Sequence, residues 1–368
     1  MSGFLRALRP LLLLVLASAA VLAALDWGLF RSGLYAHLIK PGSTAGALVG
    51  AMKAIDAHHD PGRRNVLVLG NSRVAEGFSG KLADAAVGHG NLHFINGATP
   101  GTSLRVWYYM LREIDPAADR FDAIAMMVSY DLEGTRQVLA DNPLDTRYLV
   151  SLLRVTDALD YPATFLDDDQ RDFARRGTLF PLSVLREDVL DFVSAPRTRL
   201  REVHHRDAAW ASAVANYRGN ARALPELAID PVSGQPSDWG ADAKKTKALL
   251  GGYFKQLAAP APGSAQVANL DYQDAWLQRI LDRYTAAGVP VIVFAVPRGP
   301  YHAAMGRSLR MSDTIAGLAR EGRLAALPAA DFTVLEQPRY FFDAQHMNRA
   351  GREEFSAMLA ERVAPLLP

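Results

Sequence analysis

Ser72 stands where the apolar run "NVLVL" (65–69) breaks at Gly70-Asn71-Ser72 and a helical pattern begins at Arg73. A serine hydroxyl is a weak nucleophile at neutral pH, so it needs a neighbouring base and an acid that orients the base. Among nine histidines, His346 in "FFDAQHMNRAG" (341–351) has Asp343 three residues before it, in a short loop. In a turn of that length both side chains can face one way, with the carboxylate steadying the imidazole. The chemistry would be acyl transfer through an acyl-serine. Each motif alone also has an ordinary reading. A serine at a strand-to-helix turn is a good N-cap, and Asp-x-x-His fits a surface loop. Their order, one after the first strand and one before the last helix, favours the nucleophile.

These residues must be positioned by strands and helices, and the chain alternates the two. "NVLVL" is followed by a helical stretch over 74–86, then "LHFIN" (92–96), a helix over 103–114 and the apolar strand "FDAIAMMVS" (121–129). The pattern resumes with an amphipathic helix over 272–288, the buried strand "VPVIVFAVP" (289–297), a short helix near 309–321 and a terminal helix from Arg349 to about Leu366. Strands apolar on both faces and separated by helices predict a doubly wound parallel sheet, an α/β fold covered on both sides. The loops bearing Ser72 and His346 then lie at the same carboxyl edge, where ligands of such sheets bind. The middle, 134–268, is richer in charge and lacks a convincing buried strand, so it is expected to be a mainly helical insertion. "APAPGSAQ" (259–266) reads there as a linker or loop.

Composition narrows the partners. The 368 residues are 49% hydrophobic, ample for a core, and 40 basic against 39 acidic residues give a net charge of +1, which offers no reason to expect nucleic acid. The absence of cysteine excludes disulfides, thiol catalysis and thiolate metal sites. "DDD" at 167–169 reads as a solvated helix start rather than a calcium loop, because no alternating ligand pattern comes after it. No metal and no cofactor is expected.

At the N-terminus, Arg6 and Arg9 precede the uncharged Pro10–Leu25, and Trp27, Leu29 and Phe30 extend the apolar character past Asp26. A spanning helix needs roughly 20 apolar residues. Cleavage after Ala17-Ser18-Ala19 would leave only Leu11–Leu16 as an apolar core, and hydrophobicity continues beyond it. The segment 10–30 therefore reads as a retained single-pass anchor, with residues 1–9 cytoplasmic and everything after the connector 31–63 extracytoplasmic.

With these motifs in this order, the sequence resembles the SGNH (GDSL-like) hydrolase superfamily over residues 64–133 and 269–368. The resemblance implies a three-layer α/β/α fold and a Ser-His-Asp triad of Ser72, His346 and Asp343. It implies that Gly101 in "INGATPGTS" donates its backbone N–H to an oxyanion. Two positions depart from the family pattern. Asn71 replaces the usual Asp of the first block, and in "MMVSYDLEG" Tyr130 falls where the family has its oxyanion Asn, with a hydroxyl that can donate. Asn71, Arg73 and Arg298 are candidate substrate contacts; Arg298, just after the fourth strand in "AVPRGPYH", either binds an anionic substrate or is simply solvated.

The anchor, "LGNSR" and "DAQHMNRAG" are similar to membrane-anchored members that modify envelope polymers, such as the alginate O-acetylation and teichoic-acid D-alanylation proteins. That similarity implies a periplasmic O-acyltransferase, held in the inner membrane, acting on a polysaccharide or glycan beside a multi-spanning acyltransferase. A membrane-anchored esterase or deacetylase and a catalytically silent envelope scaffold are the alternatives. On this topology, a C-terminal reporter that works only outside the cytoplasm should be active, and the chain should stay with membranes after a carbonate wash. Release of a shortened, soluble chain would instead establish a cleaved signal peptide.

Overall fold

The computed structural model describes residues 2–88, 91–130, 138–230, 232–258, 263–302, 309 and 311–367. Helix α1 (Ser2–Leu25) runs on through a π-helical turn, Asp26–Arg31. After it come α2 (Thr44–His58), β1 (Arg64–Leu69), α3 (Ser72–Gly77), α4 (Gly80–Ala86), β2 (Leu92–Asn96), α5 (Leu104–Ile114) and β3 (Ala123–Met127). A helical stretch is next: α6 (Pro143–Leu149), α7 (Asp160–Ala163), α8 (Asp168–Leu179), α9 (Leu182–Ser194) and α10 (Pro196–Asn216). The chain ends with α11 (Ala243–Ala258), α12 (Gly263–Ala286), β4 (Val291–Phe294), α13 (Asp313–Arg320), β5 (Ala325–Ala326) and α14 (Arg349–Val363).

The fold is α/β. Five strands among the described residues form one parallel sheet in the order β2-β1-β3-β4-β5. The three strands read as continuous apolar runs, β1, β3 and β4, are the central ones, and Val66–Leu69, Ala123–Met127 and Val291–Phe294 are buried. Such runs suit strands covered on both faces. The order reverses direction at β1, so the crevice between the loops after β1 and β3 is the topological switch point of the sheet.

Several elements differ from the expected ones for local reasons. The helix expected over 74–86 is two helices, because Phe78 is extended and wholly buried and the N–H of Ser79 is taken by Ser356 Oγ at 2.9 Å. The fifth strand is only two residues long, too short to show a period. α12 begins at Gly263 rather than 272 and ends where Gly288 takes φ +72°, with the N–H of Val289 bonded to Tyr284 O at 3.0 Å. Of the expected linker, 259–262 lies outside the described residues and the remainder is helix. Asp167 caps α8 by accepting from the N–H of Gln170 at 2.9 Å.

The chain divides into two compact units, Met1–Val49 with Thr146–Arg206, and Gly50–Asp145 with Asp207–Pro368. The expected connector and insertion are thus each shared between the two. In the first unit Phe30, Tyr35, Ile39, Ala45, Val150 and Leu185 form a small core. Beside it the buried Arg199 donates to Asp188 Oδ1 and to Leu38 O, both at 2.9 Å, and Tyr35 donates to Asp188 at 2.7 Å. Arg9–Arg31 is long and apolar enough to cross a membrane. The second unit holds the sheet, and all the candidate site residues lie within it.

Candidate active site

Ser72 is the first residue of α3, and the cap of that helix is its neighbour. Asn71 Oδ1 accepts from the backbone N–H of Arg73 at 3.0 Å, so the serine hydroxyl is not needed to cap the helix. Gly70 is required for space: a Cβ there would run into the Val74 side chain of the same tight turn. The Ser72 hydroxyl meets His346 instead, with Oγ to Nε2 at 2.9 Å.

The histidine side is built by a pinched loop. Phe341 and Met347 form an isolated antiparallel bridge, and the N–H of Asn348 reaches Tyr340 O at 2.8 Å. Within the loop Asp343 Oδ1 accepts the backbone N–H groups of Gln345 and His346, each at 2.8 Å, and Oδ2 lies 2.8 Å from His346 Nδ1. Burial pushes the Asp343 carboxyl up, but the hydrogen bonds from the imidazole and the two backbone N–H groups outweigh it, leaving the group below its ordinary value. An ionised carboxylate only accepts. Nδ1 therefore carries the imidazole proton, and Nε2 is left to accept the serine hydroxyl. Phe342 stacks on the imidazole at 5.8 Å between centroids, fixing its plane.

This loop is held from outside by residues that the motifs did not mark. Arg222 donates Nη2 to Phe342 O at 2.8 Å, and Asn348 Nδ2 donates to Arg339 O at 2.7 Å while its Oδ1 caps α14 through Gly351 N at 3.0 Å. Gly351 has no room for a Cβ, which would strike Tyr340 O. Gly299, at φ +155°, lets the backbone after β4 pass between Tyr253 and the carbonyl of Ala344. Tyr253 in turn lies 2.9 Å from His302 Nδ1. Asn348 was legible as a helix cap before Arg349; Tyr253 and Arg222, from the charged middle of the chain, carried no sequence signal.

Gly101 lies in the loop after β2, exposed and at φ +75°. Because β2 pairs in parallel with β1, this loop and the one bearing Ser72 emerge at the same edge, and Thr99 N bonds to Gly70 O at 3.0 Å. The loop is anchored behind by Ser103, which accepts from Tyr272 at 2.8 Å and donates to Asp145 at 2.9 Å. Burial pushes Asp145 up to about 6, against the pull of Arg105.

Three expected contacts are otherwise engaged. Tyr130 is buried and points toward β4 and β5, on the side of β3 away from β1, where its hydroxyl donates to Leu327 O at 2.8 Å. A phenol has one proton to give, so Tyr130 is not an oxyanion donor here; residues 131–137 lie outside the described residues. Arg298 is neither solvated nor open to an anion. Its Nε and Nη2 clasp the buried Glu336, each at 2.8 Å, and its backbone N–H adds a third bond at 2.9 Å. Arg73 bonds to Pro297 O beside this pair, and burial lowers its guanidinium to about 10, partly offset by the Glu336 charge. It remains protonated at neutral pH. Among the described residues no group of His, Asp and Glu side chains could hold a metal ion.

No family model matches the chain, and no curated protein matches it in sequence.

The Tyr130 geometry has a direct test. Tyr130→Phe should cost about 0.5–1.5 kcal/mol of stability, the worth of one buried hydrogen bond, read as a lower urea midpoint. The reactivity of Ser72 toward an acylating ester should be unchanged. A loss of reactivity at unchanged stability would return the hydroxyl to the oxyanion site.

Proposed function

We propose that this chain is a serine-dependent O-acyltransferase of the SGNH type, working through an acyl-Ser72 intermediate. The observation that carries the reading is the 2.9 Å contact of Ser72 Oγ with His346 Nε2, with Asp343 behind Nδ1 at 2.8 Å. His346 takes the hydroxyl proton as Ser72 Oγ attacks the acyl carbonyl, and Asp343 stabilises the imidazolium. The backbone N–H groups of Ser72 and Gly101 hold the tetrahedral oxyanion. The imidazolium then protonates the leaving oxygen. In the second half His346 deprotonates an acceptor hydroxyl, which takes the acyl group and frees Ser72.

In this reading 64–133 and 269–368 make the SGNH-like domain, and of the intervening 134–268 the part Thr146–Arg206 groups with the N-terminal residues rather than with that domain. The chain sits in the inner membrane with the site in the periplasm, the acceptor is an envelope or secreted polysaccharide, and a multi-spanning acyltransferase supplies the acyl group. The apolar Arg9–Arg31 segment supports the anchoring. A transferase gains by keeping water from the acyl-enzyme until an acceptor binds.

Full-length protein in detergent, given p-nitrophenyl acetate, should hydrolyse it slowly. Adding an acceptor glycan oligomer should divert acetyl to sugar hydroxyls, seen as acetylated oligomer by mass spectrometry. Ser72→Ala should abolish both reactions, and Asp343→Asn should slow them by on the order of 10³–10⁴-fold. Efficient release of acetate from acetylated glycans, with no transfer to any oligomer offered, would make the protein an esterase.

A further inference from the structure

The end of the apolar N-terminal segment constrains the unit built around it. Arg9–Arg31 comprises 23 residues, which at about 1.5 Å each reach about 35 Å, against roughly 30 Å of hydrocarbon in a bilayer. Its two terminal arginines therefore fall near the two headgroup boundaries. The one charge inside the far end, Asp26, is answered by Arg31, with Nε to Oδ2 at 2.8 Å. The same guanidinium donates Nη2 to Thr178 O at 2.6 Å and to Leu179 O at 3.1 Å, the final carbonyls of α8. The C-terminus of α8 is thus tied to the residue that marks the membrane boundary.

Beyond that tie the surface is apolar and uncovered. Phe180 is 61% exposed at the tip of the α8–α9 turn, flanked by Leu179 and Leu182, and Trp27, one turn before Arg31, is 69% exposed. The turn's backbone is set by Ser183 N to Phe180 O at 2.8 Å and Val184 N to Pro181 O at 3.0 Å. Phe180 and Leu182 are exposed on that backbone frame. Arg176 and Arg186, both exposed, stand on either side. Aromatic and aliphatic tips between arginines match the chemistry of the headgroup layer, which takes rings and chains below and anionic phosphates beside them.

We propose that the α8–α9 turn, with Phe180 at its tip, enters the headgroup region of the bilayer, so that this unit rests on the lipid surface as well as being tethered to it. The inference rests on the anchored reading of α1. The occupant is lipid because the patch is continuous, through Arg31, with the segment that spans it.

The chain has no cysteine, so one introduced cysteine carries a spin label at a unique site. Phe180→Cys, Leu182→Cys, Leu16→Cys and Val232→Cys would be labelled singly in the full chain, reconstituted in vesicles of phosphatidylcholine and phosphatidylglycerol. Collision rates with oxygen, which concentrates in the bilayer, are compared with those for a water-soluble nickel chelate. The label at Leu16 should meet mostly oxygen, and that at Val232, 94% exposed, mostly nickel. At 180 and 182 the oxygen-to-nickel ratio should exceed that at 232 several-fold. If 180 and 182 match 232 while 16 remains in lipid, the docking is wrong and the anchor stands. If 16 is also nickel-accessible, the anchored reading fails and the docking with it. Shielding of 180 and 182 from both reagents would mean a protein occupant and overturn the lipid assignment.

Discussion

A base-assisted serine works only if an imidazole nitrogen lies one hydrogen bond away, and here the two partners are 274 residues apart in sequence. A parallel sheet meets that constraint, because it delivers the loops after successive strands to one edge. Ser72 comes from the loop after β1. Asp343 and His346 come from the loop that precedes α14, where the bare backbone of Gly351 lets Tyr340 sit against the first turn of that helix and that of Gly77, at the end of α3, lets Met347 approach. The serine is also free of a structural task, since Asn71 caps its helix.

The charged groups around this contact hold it in place. Arg352 donates Nη1 to Ala75 O at 2.8 Å and to Glu76 O at 2.7 Å, closing the last turn of α3 from α14, and its guanidinium lies 5.0 Å from the Tyr217 ring. Burial lowers it to about 10, so it still carries its charge at neutral pH. Arg298 and Glu336 pair in the interior, and Arg222 reaches into the loop from the charged middle segment. Removing one member of a buried pair strands the other, at a cost of about 3–5 kcal/mol. These cations fix the backbone on which the serine and histidine sit.

The sequence made the sheet legible because the central strands are covered on both faces and read as unbroken apolar runs; β5, at two residues, left no period to find. The meeting of Ser72, His346 and Asp343 was legible because each lies in a short turn beside a strand or helix that the apolar pattern marks, so their order along the chain placed them at one sheet edge. Side-chain direction was not. Tyr130 falls at the position where the resemblance implied an oxyanion donor, but its ring turns toward β4 and β5, which only the packing decides. Arg298 read as either an anion contact or a solvated side chain because its partner, Glu336, lies 38 residues away, beyond any local pattern. The charged segment 134–268 read as one insertion because composition reports no contacts, whereas Thr146–Arg206 groups with the N-terminal residues and Asp207 onward with the sheet.

Activation of Ser72 by His346 is the central claim, and covalent labelling reads it directly. An alkyl fluorophosphonate reacts quickly only with an activated serine, so full-length protein should acquire one phosphonyl group, located on the Ser72 peptide by mass spectrometry. Ser72→Ala and His346→Ala, with folding intact by circular dichroism, should not be labelled. Equal labelling of Ser72→Ala, or no labelling of the native chain, as a catalytically silent scaffold would give, would contradict that claim.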